Sequence, residues 1–180
     1  MKSSPINKTS EKRITAPPGI EITRLDEDRW QDYRALRLEA LQEATIAFGS
    51  SYEEEMFLSE DAWKKRMKNA LFAVVEGNPA GILVLVFNHR AKTKHIAEIF
   101  SFYVKKDYRG TGIGKLLMET TLAEIGGQKD VIKVRLSVNP EQEAAMRLYR
   151  KYGFKTVGHL KKELNIDGRF HDELIMEKFV

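Results

Sequence analysis

A chain of 180 residues is long enough to bury one sizeable core and short for two, and 42% apolar with 31% charged residues is the balance of a globular protein rather than a disordered one. There is no cysteine, which excludes a disulfide framework, a thiol nucleophile and a thiolate metal site, and no apolar run approaches the roughly 20 residues of a membrane span. The formal charge of +4 sits mostly on residues 1–18, where Lys2, Lys8, Lys12 and Arg13 face only Glu11, so the nearly neutral remainder gives no ground for a nucleic-acid-binding surface.

Residues 1–18 are polar, rich in Ser, Thr and Lys, and close on Ala16-Pro17-Pro18, which reads as a flexible basic arm ahead of a single domain over residues 19–180. The arm lacks the apolar core of a secretory signal, and with the absence of cysteine this makes the cytoplasm the expected location. Contact with polyanions is an alternative role for the arm, a solvated terminus the commoner one. Residues 19–25 alternate as a first strand, and Asp26 or Asp28 is placed to cap a helix whose Trp30, Tyr33, Leu36, Leu38 and Leu41 fall near helical spacing. Gly49 breaks that helix, and a second helical segment carrying Trp63, Arg66 and Met67 follows the serines at 50 and 51 and ends near Asn69.

Residues 71–76 and 80–87 are apolar runs separated by Gly77-Asn78-Pro79-Ala80, an antiparallel hairpin, and residues 95–104 add a third consecutive strand. A helix over residues 112–125 closes at Gly126-Gly127, residues 130–138 form a strand dense in β-branched side chains, and a further helix runs from Gln142 to Tyr152. Residues 156–164 and 169–179 flank the hairpin turn Asp167-Gly168. The order β-α-α-β-β-β-α-β-α-β-β predicts an α/β (α+β) domain, a mixed and mostly antiparallel central sheet of about seven strands flanked by about four helices.

Between the third of those consecutive strands and its helix lies Arg109-Gly110-Thr111-Gly112-Ile113-Gly114-Lys115. Three glycines in five positions let the backbone approach a ligand, and the helix start adds unpaired N–H donors and its positive dipole end, which together make an anion cradle. A phosphate-binding loop of the Walker type needs a glycine where Arg109 stands and Ser or Thr where Leu116 stands, so that reading fails. A dinucleotide fold needs G-x-G-x-x-G and an acid about twenty residues on, whereas the spacing here is G-x-G-x-G and the region around Val134 is apolar. The remaining pattern, Arg109-x-x-Gly112-x-Gly114, resembles the R/Q-x-x-G-x-G/A pyrophosphate motif of the GNAT acyl-CoA N-acyltransferases. Residues 139–154 are similar to that family's N-x-x-A-x-x-L-Y-x-x-x-G-F signature, with Leu148-Tyr149 and Gly153-Phe154 in place and Gln142 at the asparagine position, Asn139 being the runner-up. The predicted element order is that of the GNAT fold.

The resemblance implies acetyl-CoA as acyl donor, with no metal, held by the main chain of Phe102, Tyr103 and Val104, by Arg109 to Lys115 and by Gln142. Acyl transfer to an amine needs deprotonation of the amine, donors for the developing oxyanion and a proton for the leaving thiolate. In the family a tyrosine at the place of Tyr149 gives that proton; spacing alone would make it a core tyrosine. Glu98 matches the catalytic glutamate segment of the histone acetyltransferase branch, and parity with Phe100, Phe102 and Val104 puts it on an apolar face. Partner of Arg135 and sheet-end charge are equal alternatives for it, as is proton removal through water. The acceptor side implies Phe48, Ser50, Tyr52 and the glutamates 53–55 as contacts, with His171 on the final hairpin reading substrate or standing exposed. The four histidines lack metal-ligand spacing, so no metal site is expected.

The expected partner is a small-molecule amine, with a peptide N-terminus or lysine as alternative and a non-catalytic acyl-CoA-binding module as the reading from another class. A peptide acceptor predicts an open groove between the first-helix region and the final hairpin, a small acceptor a closed pocket. No nucleic acid or membrane partner is expected, and a homodimer is what the family makes common.

Overall fold

A computed structural model describes residues 19–180; the arm predicted over residues 1–18 lies outside the described residues. Seven strands form one sheet in the order β1-β2-β3-β4-β5-β7-β6, with β1 Ile20–Thr23, β2 Ala70–Val75, β3 Asn78–Phe87, β4 Ile96–Val104, β5 Lys133–Val138, β6 Lys155–Ile166 and β7 Arg169–Phe179. Every neighbouring pair is antiparallel except β4 and β5, which the intervening helix α4 (Ile113–Gly126) makes parallel. The remaining helices are α1 Trp30–Glu43, α2 Tyr52–Glu55, α3 Glu60–Met67 and α5 Glu143–Lys151.

Five helices stand where about four were expected, because the second helical segment is split. Ser51 and Glu54 close a reciprocal capping box at the start of α2, the chain turns at Met56, and the Ser59 hydroxyl accepts the Ala62 N–H to start α3. Ahead of α1, neither Asp26 nor Asp28 caps with its side chain; Glu27–Arg29 form a 3₁₀ turn closed by Arg29 N–H on the Asp26 carbonyl. The first hairpin turns on Glu76-Gly77, both at positive φ, and not on the four residues read as its turn. Pro79 is therefore inside β3, opposite Val74 and next to a bulge at Ala80, the residue by which β3 exceeds β2 between Ala73↔Gly81 and Val74↔Pro79.

Side chains alternate across the sheet and build two cores. One lies under α4 and α5, where Leu83, Ala97, Ile99, Val134, Leu136 and Met176 meet Leu117, Met118 and Tyr149. The other lies under α1 and α3, where Phe72, Ile82 and Val84 meet Tyr33, Leu36 and Trp63. Tyr33 packs edge-on to Trp63 at 5.6 Å, and burial pushes its hydroxyl up to about 12. On the first face α4 sits very close to β3: a Cβ on Gly81 would lie 3.0 Å from Ile113 Cγ2 and 3.1 Å from the Tyr103 carbonyl. That glycine fixes the height of the α4 start above the sheet.

Candidate active site

The parallel strands β4 and β5 pair from Ile96↔Lys133 to Ile99↔Leu136 and no further. Beyond that point β5 stays with β7 as far as Val138↔Leu174, while β4 stays with β3 as far as Gly81↔Val104. A strand offers main-chain groups to both sides, so residues 100–104 present part of theirs to a gap in the sheet. That gap opens into a cavity of about 1570 Å³ lined by residues 99–104 of β4 and by Leu136 and Ser137 of β5. Phe102, Tyr103 and Val104 thus all border it.

A bulge sets which side chains face which way. Between Val84↔Phe100 and Ile82↔Tyr103, β4 carries one residue more than β3, and Ser101 takes a φ of +51°. Phe102 and Val104 consequently pack on the α4/α5 core, while Tyr103, like Val84 opposite Phe100, belongs to the α1/α3 core. The parity that grouped Glu98 with Phe102 and Val104 is broken here. Glu98 lies opposite Val86 and Arg135 and is not part of the cavity lining; its carboxylate accepts Arg135 Nη2 at 2.5 Å and Asn88 Nδ2 at 3.0 Å. The ion-pair role is the one this geometry supports.

After β4 a 3₁₀ turn, Lys106–Tyr108, leads to Gly112, the N-cap of α4 at φ +95°. No acceptor among the described residues is hydrogen-bonded to the N–H groups of residues 110–115. Unpaired main-chain donors and the positive end of a 14-residue helix therefore stand at the cavity mouth. Gly110, Gly112, Gly114 and Lys115 line it; Thr111 and Ile113 do not, the Thr111 hydroxyl donating to the Tyr108 carbonyl at 2.6 Å and Ile113 being buried in the core. Arg109 also lines the cavity, but its guanidinium donates to the Val104 carbonyl at 3.0 Å and to both oxygens of Glu43 at the end of α1. Hydrogen bonds from Arg109 hold the Glu43 carboxyl below its ordinary value. Any anion at the cradle would have to compete with that carboxylate for Arg109, whereas the main-chain donors are unoccupied.

Tyr149, on α5, is buried between Phe102 and Phe154, with ring centroids 6.1 and 5.9 Å away. It lines the cavity, its hydroxyl is hydrogen-bonded to no described group, and burial pushes that hydroxyl well above its ordinary value. Gln142, just before α5, lines the cavity too. Asn139 does not: its Oδ1 accepts the Glu141 N–H at 2.8 Å in the turn leading to the helix. Tyr152 lies half-buried at the edge of the core, with its hydroxyl on Glu119 at 2.9 Å.

On the far side of the sheet the cavity is bounded by Phe48 and Ser50 but not by Tyr52, which opens α2 and packs on the α1/α3 core. Glu53 and Glu54 are exposed, the latter spent on the capping box. Glu55 lines the cavity and is buried, its carboxylate taken by Arg37 at 2.9 and 3.0 Å and by Arg66 at 2.9 Å. His171 is neither exposed nor in the cavity; it is buried, with Nδ1 2.9 Å from Glu141. Arg37, Ser137 and Glu173 border the cavity without having been singled out in the sequence. A charged residue in the middle of α1 and an acid in a strand with polar neighbours carry no local signal of that kind. Among the described residues no group of three or more His, Asp or Glu is arranged to hold a metal, and no helix is long and apolar enough to cross a membrane.

The sequence model described as "Acetyltransferase (GNAT) family" matches residues 24–154. The chain is 25% identical over 125 residues to the L-amino acid N-acetyltransferase of Escherichia coli (strain K12), covering 67% of this chain and 76% of that one. It is 30% identical over 106 residues to the spermidine N(1)-acetyltransferase of the same organism, covering 56% of this chain, and so spans about half of that relative, 53% of its length. Among solved structures, the acetyltransferase of the GNAT family from Streptococcus pneumoniae has a TM-score of 0.80 at 23% identity, with 89% of this chain and 99% of that chain covered. At that identity the likeness is one of fold.

Proposed function

The chain belongs to the GNAT acetyltransferase family, and from that premise we propose that it transfers an acetyl group from acetyl-CoA directly to a primary amine of a small molecule. The donor fits the residues present: unsatisfied N–H groups at 110–115 suit a pyrophosphate, and the parted strands leave a gap in which an extended pantetheine arm can bond to residues 100–104 as an added strand would. In that position the thioester stands near the Tyr149 hydroxyl, which gives its proton to the leaving sulfur. Main-chain N–H groups of β4 receive the carbonyl oxygen as it gains charge. The acceptor enters from the opposite face, past Phe48 and Ser50.

The observation that carries the small-molecule assignment is a closure. The 3₁₀ turn Thr45–Ala47, following α1, comes within 8 Å of β6 between Cα atoms, so the first-helix region and the final hairpin meet where a peptide would need an open groove. The experiment is an amine panel of amino acids, polyamines and N-terminal peptides, read by release of CoA. At least one small primary amine is expected to be acetylated with a kcat/KM about tenfold or more above any peptide. Acetylation of peptides alone overturns the assignment, and no release above thioester hydrolysis leaves an acyl-CoA-binding module.

The cradle itself gives a second expected result. An alanine at Gly112 meets open space, so its effect is conformational: φ +95° strains any side-chain-bearing residue, and relief turns the donors of 112–115. Gly112→Ala is expected to weaken CoA binding about tenfold, which is ~1.4 kcal/mol by calorimetry.

A further inference from the structure

We propose that Glu173, on β7, is the group that takes the proton from the acceptor's ammonium, an inference that rests on the acetyltransferase reading above. Four glutamates line the cavity, and three are already matched with cations. Glu55 is held by Arg37 and Arg66, Glu141 by His171 at 2.9 Å and Arg169 at 3.5 Å, and Glu143 by Arg147 at 3.0 Å. Glu173 has no cationic partner within 4.0 Å among the described residues. A half-buried carboxylate at a cavity wall with no counter-ion is placed to receive one from outside, and a primary ammonium is such a counter-ion.

The position matters as much as the vacancy in charge. Leu174 and Met176 pack on the α4/α5 core, so alternation along β7 turns Glu173 and Ile175 to the other face, the one covered by α1 and α3. Tyr149 reaches the cavity from α5, on the first face. The acid and the base thus flank the β4–β5 gap from opposite sides, which is where attack on a carbonyl and departure of its sulfur place them. Glu98, by contrast, is held by Arg135 and Asn88 outside the lining.

Glu173 is faced by Glu163 from β6 and by the Ser137 hydroxyl from β5, and across the cavity by the Arg37–Glu55–Arg66 group. Burial, then the charge of Glu163, raise its carboxyl above the ordinary value, and the hydrogen bond with Ser137 offsets part of that. The proton balance closes. Glu173 accepts one proton from the ammonium, and the freed nitrogen lone pair forms the C–N bond at the thioester carbonyl. The C–S bond breaks as Tyr149 protonates the sulfur, the second nitrogen proton returns to the tyrosinate, and Glu173 releases its proton to solvent. Ammonium and thioester become amide, thiol and one proton.

The test uses the full chain, Glu173→Gln and Glu173→Asp, with CoA binding by calorimetry as the check that each variant is folded. Transfer is followed from pH 6 to 9.5 for two acceptors the parent accepts, a lysine-like amine of pKa about 10.4 and an α-amine of pKa about 7.8. Glu173→Gln is expected to bind CoA as the parent does and to lose about 10²–10³-fold in kcat/KM at neutral pH with the more basic amine, and much less with the other at the top of the range. Its rate should climb with deprotonation of the ammonium as the pH rises, and Glu173→Asp should keep more activity than Glu173→Gln. An equal loss for both amines at every pH, or a loss under about threefold, overturns the assignment. A parent that releases no CoA with any amine overturns the acetyltransferase reading instead.

Discussion

Tyr149→Phe is expected to lower kcat by about 10²–10³-fold while changing CoA affinity by no more than about twofold. The phenylalanine ring keeps the packing between Phe102 and Phe154, and the hydroxyl that is lost has no partner among the described groups, so its removal strands no donor or acceptor. Stability should be unchanged. On the proposed mechanism what disappears is the proton for the sulfur, and the step that suffers is expulsion of a thiolate. Because burial raises the Tyr149 hydroxyl above its ordinary value near 10, the phenol stays protonated through the working range. No basic limb below about pH 10 should therefore belong to it. Steady-state rates of CoA release for both proteins, with calorimetry for CoA, check the split between kcat and binding. A loss of affinity equal to the loss of kcat would assign Tyr149 to packing.

Arg37→Met is expected to destabilise the fold by about 3–5 kcal/mol, a shift in Tm of about 10 °C for a domain of this size. Arg37 and Glu55 are 5% and 2% exposed, and removing the guanidinium leaves a buried carboxylate with only the more exposed Arg66. The double variant Arg37→Met with Glu55→Met should recover most of the loss, since an apolar pair of similar volume replaces a buried ion pair at little net cost. Burial by itself raises the Glu55 carboxyl, but the hydrogen bonds and charge of Arg37, with Arg66, outweigh it and hold the group below its ordinary value. A carboxyl depressed in the folded state stabilises above its unfolded pKa of about 4.3 and loses that contribution as pH falls through the folded value. Parent and Glu55→Gln should therefore differ most in urea unfolding at neutral pH, and the difference should shrink progressively as the pH is lowered past the unfolded value toward the folded one. A constant difference across that range would contradict the ion-pair account.

The geometry of the cradle was legible because it is written in backbone requirements. Gly112 must hold a positive φ, and the strand–glycine–helix pattern around it says where the unpaired donors point. Ser51-x-x-Glu54 likewise carried its own helix start, although splitting the segment into α2 and α3 needed Ser59 to be read the same way. The bulge at Ser101 was not legible. Phe100, Phe102 and Val104 are apolar whichever face they take, so one extra residue leaves the pattern unchanged while moving Phe102 and Tyr103 to opposite sides. The parity that grouped Glu98 with Phe102 and Val104 fails for that reason, while its pairing with Arg135, one of the roles weighed for it, is present. The place of Glu173 and the burial of His171 were hidden for a different reason: an acid and a histidine in a polar hairpin look solvated until the β5–β7 pairing brings Ser137, and the turn before α5 brings Glu141, against them.

The central claim is that donor and acceptor occupy the cavity together, one along the β4–β5 gap and the other against the opposite face, and that the acetyl group passes directly between them. Initial rates with acetyl-CoA and an accepted amine varied in concert measure this most directly. Intersecting double-reciprocal lines are the predicted result; parallel lines, with an acetylated protein trapped in the absence of amine, would contradict it.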